Sequence, residues 1–386
     1  VGSLFDPLDP IPPERGSPVS QIPGFDLQRA VAQISDEVHE KWRALTERTA
    51  FVGGAEVDAF EQAFADFLSV AGCVGVANGT DAIELALRAL DLKPGDEVIV
   101  PSYTFIATAG AVRLAGGRPV FADVESTTLN LDPDDLRRRI SDRTAGVIGV
   151  HLYGRPFQVE TIMEICRDSG LWLIEDAAQA HGARWHGTSV GGFGQISTWS
   201  FYPSKNLGCF GDGGAVTSND TDLLDRVRRL ANHGRTTHYE HAEVGRNSRL
   251  DALQAAALNC RLPRLEADNE RRRAIAATYR EALSGVGDLR ILEDDPETLP
   301  VYHQMTVLTS GRNELQSFLS ERGIGTAIHY PRALHLQAAF AVDGEQPPSL
   351  PVSEAAGDQV LCLPVFPQLT DAEVETVCAA VADFFH

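Results

Sequence analysis

From about residue 26 to residue 235, short apolar runs take turns with stretches whose apolar residues recur every three or four positions. "CVGVA" (73–77) precedes "TDAIELALRAL" (80–90), and "DEVIVP" (96–101) precedes "TFIATAGAVRLAG" (104–116). "RPVFADV" (118–124) follows, then "AGVIGVHLYG" (145–154), "VETIMEICRDSG" (159–170) and "LWLIEDAA" (171–178). Compact apolar runs alternating with amphipathic helices predict βαβ units and a mostly parallel sheet. Ligands of such sheets sit at the carboxyl ends of the strands. After "NSRLDALQAAALNCRL" (247–262) the pattern changes. A long charged helix over 263–283, a strand over 301–309 and helices over 313–323 and 371–385 predict a smaller α+β domain. The reading is an extended, proline-rich arm over 1–25, a large α/β domain over 26–260 and a small domain over 261–386.

At 386 residues the chain suits a large domain with a smaller companion. Its net charge of −21 repels nucleic-acid phosphates and anionic lipid, so neither is expected as a partner. Cys73, Cys166, Cys209, Cys260, Cys362 and Cys378 are scattered without a CxxC pair, which predicts reduced core cysteines in a cytoplasmic protein. The first residues lack a basic start followed by an apolar run, and no stretch is apolar enough for a membrane helix.

Three places along the predicted strand ends carry chemistry. In "VANGTDAIELAL" a strand meets a helix at Asn78-Gly79-Thr80, where free N–H groups and the helix dipole favour an anion. Read alone, the same turn is an ordinary helix N-cap. In "LWLIEDAAQAHGA" an apolar strand runs into Glu175-Asp176, and a carboxylate there needs a partner. Gln179 follows one turn later. In "SFYPSKNLGCFGDGGAV", Ser200 and Lys205 stand among apolar residues and glycines. A desolvated lysine is a carbonyl-capturing amine.

One ligand, pyridoxal phosphate, uses all of these: a lysine for its aldehyde, a carboxylate for its ring nitrogen, and a helix N-terminus with hydroxyls for its phosphate. "PSYTFIAT" adds Phe105 as a candidate aromatic over the ring. No GxGxxG follows a strand, no phosphate-binding GxxxxGK[ST] and no serine-nucleophile elbow is read, and the histidines are too dispersed for a metal site.

"NGTDAIELAL", "PSYTFIATAGAV", "EDAAQAHGA", "SFYPSKNLGCFGDGGAV" and "GRNSRLDALQAA", in this order, resemble the sugar aminotransferases of the DegT/DnrJ/EryC1/StrS family. The resemblance runs from about residue 26 to the C-terminus. It implies the aspartate-aminotransferase-like fold type I, pyridoxal phosphate as cofactor, and a homodimer with shared active sites. It implies that Lys205 carries the cofactor and shuttles protons, that Asp176 pairs with the ring nitrogen and that Gln179 lies beside the ring hydroxyl. Gly79, Thr80 and Ser200 match phosphate contacts, Phe105 the ring-stacking aromatic, and Asn247 an asparagine reaching the neighbouring subunit's cofactor phosphate. Tyr202, His238, His329 and Tyr330 match positions near the sugar nucleotide, with His238 where relatives commonly carry lysine. The wording is most similar to members that aminate C3 of dTDP-3-keto-6-deoxyhexoses, with L-glutamate as donor. Amination at C4, dehydration or deoxygenation of a ketosugar, and a non-enzymatic regulator are the alternatives. Relatives acting as dehydratases carry histidine where this chain has Lys205.

Overall fold

The computed structural model describes residues 22–342 and 346–386. Residues 1–21 of the arm read from the sequence lie outside them. The large domain is built on a seven-stranded sheet: β1 (Gly72–Val76), β2 (Glu97–Pro101), β3 (Arg118–Ala122), β4 (Thr144–Val150), β5 (Trp172–Asp176), β6 (Ile196–Ser200) and β7 (Gly214–Ser218). Their spatial order is β3-β2-β4-β5-β6-β7-β1. The first five in this order pair in parallel, and β7 runs antiparallel to both β6 and β1.

Period-two alternation explains how both faces of this sheet are buried. Val98, Val100, Ile148 and Ile174 join a core with helices Gly79–Ala89 and Thr221–Ala231. Their neighbours Ile99, Val147 and Leu173 join the opposite core with helix Val159–Asp168. The strand β6, "ISTWS", carries no continuous apolar run and is absent from the sequence reading. It is buried nonetheless, because Ser197 Oγ donates to Glu175 at 2.9 Å and Trp199 packs edge-on to Phe64, 5.1 Å between ring centres.

The C-terminal domain holds a three-stranded antiparallel sheet, β8 (Arg290–Ile291), β9 (Met305–Leu308) and β10 (Val360–Leu363), under helices Leu265–Ala282, Arg312–Glu321 and Asp371–Phe385. Thr370 and Glu373 close a reciprocal capping box on the last helix. The sequence reading extends the unpacked arm to residue 25. In the structure Ile22 bridges Ile324, and both Ile22 and Phe25 pack into the C-terminal core. Arg29 then fixes the first helix, Leu27–Ala32, by donating to both carboxylate oxygens of Glu373 at 3.0 and 2.8 Å. No described helix is long and apolar enough to cross a membrane.

Candidate active site

Strands β1, β2, β4, β5 and β6 all point the same way, so their carboxyl ends share one rim. The segments after β1 (Gly79, Thr80), β2 (Phe105, Thr108), β5 (Asp176, Gln179) and β6 (Ser200, Lys205) therefore meet there. The antiparallel β7 begins at the same rim. A side chain on Gly214 would come within 2.5 Å of the Asn78 backbone, so only glycine lets β7 slide under the first turn.

Asp176 is the last residue of β5 and is buried. Its Oδ2 accepts from Thr108 Oγ1 at 2.8 Å and its Oδ1 from the Ala178 N–H at 3.2 Å. Burial pushes its pKa above the ordinary carboxyl value, and these donors and the Lys205 charge oppose that push. Lys205 sits in the turn after β6, half-buried, its N–H bonded to the Tyr202 carbonyl at 2.8 Å. Desolvation lowers its pKa from 10.5 to about 8, with the Asp176 charge pulling the other way. An amine with that pKa is substantially neutral near pH 8 and competent to attack a carbonyl.

Two buried histidines that sequence reasoning missed complete the setting. Burial, with the Lys205 charge second, lowers the pKa of His181 to about 3 and that of His303 well below its ordinary value. Both are neutral, so neither adds a proton donor of physiological pKa beside the lysine. His303 Nδ1 contacts Asn206 Oδ1 at 3.3 Å, and Asn206 bonds Asn269 at 2.9 Å. This network ties the residue after Lys205 to the long helix Leu265–Ala282.

Gln179 is buried. Its Oε1 accepts from the Tyr153 N–H at 2.6 Å, and its Nε2 donates to Tyr330 Oη at 3.3 Å. Tyr330 and His329 come from the C-terminal half. They are held by two buried tyrosines of the large domain. Tyr103 Oη accepts from the Tyr330 N–H at 2.9 Å and donates to the Tyr330 carbonyl at 2.8 Å, while Tyr153 Oη donates to the His329 carbonyl. The Phe105 ring is 52% exposed and stands 5.9 Å from the Tyr330 ring. It faces open space at the rim rather than the core.

The first turn of helix Gly79–Ala89 forms a cradle. Asn78 caps the helix by accepting from the Asp81 N–H at 2.8 Å, which leaves the N–H groups of Gly79 and Thr80 outside the helix's own bonding. Ser200 lies against Gly79, where a β-carbon would meet its Cβ at 2.8 Å. Backbone donors, the Ser200 hydroxyl and a dipole end come together here, and any side chain at 79 would displace Ser200. Together with an amine and a buried carboxylate on the same rim, this donor set fits pyridoxal phosphate.

The neighbouring acid, Glu175, has a different role. Its side chain is fully buried on the far side and accepts from the N–H groups of Gly191, Phe193 and Gly194 at 2.8 to 2.9 Å, from Ser197, and from His151 at 3.2 Å. Desolvation raises its pKa, but these partners outweigh it and the net shift is downward. The letters GTSVG at 187–191 do match GxSxG. Thr188–Ser189 is, however, a two-residue strand antiparallel to Arg184–Trp185, not a turn between strand and helix.

Tyr202 is 41% exposed but adjoins the site, its N–H on Ser200 Oγ at 3.4 Å and its carbonyl taking the Lys205 N–H. Two predicted residues stand apart from this constellation. His238 is exposed, with its Nδ1 against Arg235 at 2.6 Å. Asn247 is exposed beside Ser248, whose Oγ accepts from the Ala77 N–H at 3.2 Å just before the cradle. Thr108, Tyr103, Tyr153, His181 and His303 belong to the site and were not read from the sequence. Thr108 and Tyr103 lie in "PSYTFIAT", His181 in "EDAAQAHGA" and Tyr153 in "AGVIGVHLYG", so their places at strand ends were the available signal; His303 had none.

The model of the DegT/DnrJ/EryC1/StrS aminotransferase family matches residues 32–382. A dTDP-3-amino-3,4,6-trideoxy-alpha-D-glucose transaminase of Streptomyces venezuelae is 42% identical over 366 residues, covering 94% of this chain and 96% of that one. A protein of Geobacillus stearothermophilus named a pleiotropic regulatory protein is 40% identical over 366 residues, covering 94% and 98%. The X-ray structure of S. venezuelae DesV in complex with a ketimine intermediate superposes with a TM-score of 0.92 at 42% identity, covering 95% of this chain and 98% of that one. The fold is thus the fold type I read from the sequence.

Proposed function

The chain belongs to the DegT/DnrJ/EryC1/StrS aminotransferase family, and we propose that it transfers the amino group of L-glutamate to C3 of a dTDP-linked 3-keto-deoxyhexose. The reaction serves deoxyaminosugar biosynthesis in the cytoplasm, with pyridoxal phosphate as cofactor. The observation that carries this reading is the pairing on one rim of a depressed-pKa Lys205 with a buried Asp176, opposite the Gly79–Ser200 cradle. The relative from S. venezuelae supports C3 and the dTDP base.

When bound, the cofactor supplies an electron sink for the carbon that gives up or receives nitrogen. The chain's residues do the rest. Gly79, Thr80 and Ser200 would hold the phosphate. Asp176 would pair with the ring nitrogen and keep it protonated, with Gln179 beside the ring hydroxyl. Phe105 would cover the ring. Lys205 Nζ takes the α-proton of glutamate, and in the second half-reaction it delivers a proton to the sugar C3. Tyr202, His329 and Tyr330 line the approach of the sugar nucleotide. In a homodimer Asn247 would reach the cofactor phosphate of the neighbouring subunit, and His238 would lie near the sugar nucleotide; both are exposed on this chain.

The test is product analysis with dTDP-3-keto and dTDP-4-keto sugars and glutamate. Nitrogen at C3 is expected; nitrogen at C4, or oxygen lost without nitrogen gained, would overturn the assignment. Lys205→Ala is expected to show no steady-state transamination. A regulatory role, as the Geobacillus relative's name suggests for that protein, requires that cofactor-supplied protein give no visible absorbance change with glutamate.

A further inference from the structure

Thr108 is the second residue of helix Ala107–Leu114 and is fully buried. The helix follows β2, whereas Asp176 ends β5, and β4 lies between those strands. The Thr108 hydroxyl reaches across that gap and donates to Asp176 Oδ2 at 2.8 Å. A threonine hydroxyl has a single proton. In a helix it commonly goes to a carbonyl of the preceding turn. Here it goes to the carboxylate.

We propose that Thr108 is a positioning residue: its hydroxyl fixes the rotamer and the charge of Asp176, and through them the affinity for the cofactor and the protonation of its ring nitrogen. This rests on the functional reading above. A carboxylate offers about four acceptor sites. The Ala178 N–H and the Thr108 hydroxyl occupy one on each oxygen. The carboxylate cannot rotate about its last bond without breaking both, so its remaining lone pairs keep one direction. Burial already disfavours the ionised form of Asp176, and each donor offsets that cost. Removing the Thr108 donor therefore frees the rotamer and makes the acid easier to protonate.

The test uses full-length protein stripped of cofactor and reloaded with pyridoxal phosphate. Thr108→Val keeps the β-branched shape and removes the donor; Thr108→Ser keeps the donor. The dissociation constant is read by equilibrium dialysis, and the visible absorbance of the loaded protein is titrated with acid. Thr108→Val is expected to bind at least tenfold more weakly, and its spectral change on acidification to set in roughly one pH unit higher. Thr108→Ser is expected to stay within about threefold of the parent on both readouts. In an Asp176→Asn background, Thr108→Val should add little, because the acid through which it acts is gone. If the valine variant does not fold, Thr108→Ala, which demands no shape match, gives the same readouts. Parent-like binding and titration in the valine variant overturn the inference, as does equal impairment of the serine and valine variants. A parent protein that fails to bind pyridoxal phosphate overturns the functional reading itself, and this inference with it.

Discussion

Gly79 and Ser200 come from different strand ends and touch so closely that a β-carbon on Gly79 would lie 2.8 Å from the Ser200 Cβ and 3.3 Å from its Oγ. The cradle for an anion is thus shaped by the absence of a side chain. Gly79→Ala must displace Ser200 or tilt the first helical turn. Alanine suits a helix, so the fold is expected to survive, with circular dichroism unchanged. Affinity for pyridoxal phosphate should fall at least tenfold, about 1.4 kcal/mol. Unchanged affinity by equilibrium dialysis would show that the phosphate lies elsewhere.

Lys205 gives a pH dependence with a definite sign. Its pKa is about 8 instead of 10.5 because burial disfavours the ammonium. The reactive neutral amine therefore grows in as pH rises through about 8. The rate of cofactor capture by the stripped protein, followed by visible absorbance, should rise with that midpoint rather than near 10.5. The Asp176 charge holds the lysine pKa up, so Asp176→Asn should move the midpoint lower. A midpoint that moves higher, or stays near 10.5 in the parent, contradicts this account. The same shift acts on stability. Between pH 8 and 10.5 the unfolded lysine binds a proton that the folded one does not, so this residue's contribution to stability rises with pH across that window.

Much of this site was legible because it lies where strand patterns end. The run "CVGVA" stops at Ala77, two residues before Gly79, and the strand within "LWLIEDAA" stops at Asp176; those stops are the rim. What was not legible depends on contacts across the sheet. The polar β6 reads as loop until Glu175 is seen to take the Ser197 hydroxyl. The strand pattern by itself could not divide labour between Glu175 and Asp176, which only the family resemblance did, because adjacent residues of a strand face opposite sides and the packing decides which side is the site. Tyr103 and Tyr153 look like core aromatics. Their hydroxyls matter only because His329-Tyr330 arrives from the other domain.

That division between the two acids is itself testable. Glu175 accepts from three backbone N–H groups, a serine and a histidine in a fully buried setting. Glu175→Gln puts an amide NH2 against those donors and should lower stability by roughly 3–5 kcal/mol at pH 7 by urea unfolding. Because the folded pKa of Glu175 is below its ordinary 4.5, its contribution is present above that value and fades as pH falls below it. The gap between parent and variant should close accordingly. Asp176→Asn should instead leave stability largely intact and abolish turnover. The reverse pattern would exchange the roles assigned to the two carboxylates.

Tyr103, just past the end of β2, anchors segment 329–330 of the C-terminal half. Its hydroxyl both accepts from the Tyr330 N–H and donates to the Tyr330 carbonyl, while Gln179 holds the Tyr330 hydroxyl from below. Tyr103→Phe keeps the buried ring and removes both bonds, together with a longer contact to the Ala356 carbonyl at 3.4 Å. The backbone of Tyr330 then loses its anchor to the large domain, but nothing that touches Lys205 or Asp176 changes. Two modest hydrogen bonds are worth about 1–2 kcal/mol together. If that energy positions Tyr330 for the sugar nucleotide, it should appear as a KM for the nucleotide sugar raised about five- to thirtyfold. The kcat at saturation, and the visible spectrum and affinity of the cofactor, should stay within about twofold. An equal fall in kcat and kcat/KM would instead place the tyrosine in the transition state, and an unchanged KM would remove segment 329–330 from substrate binding.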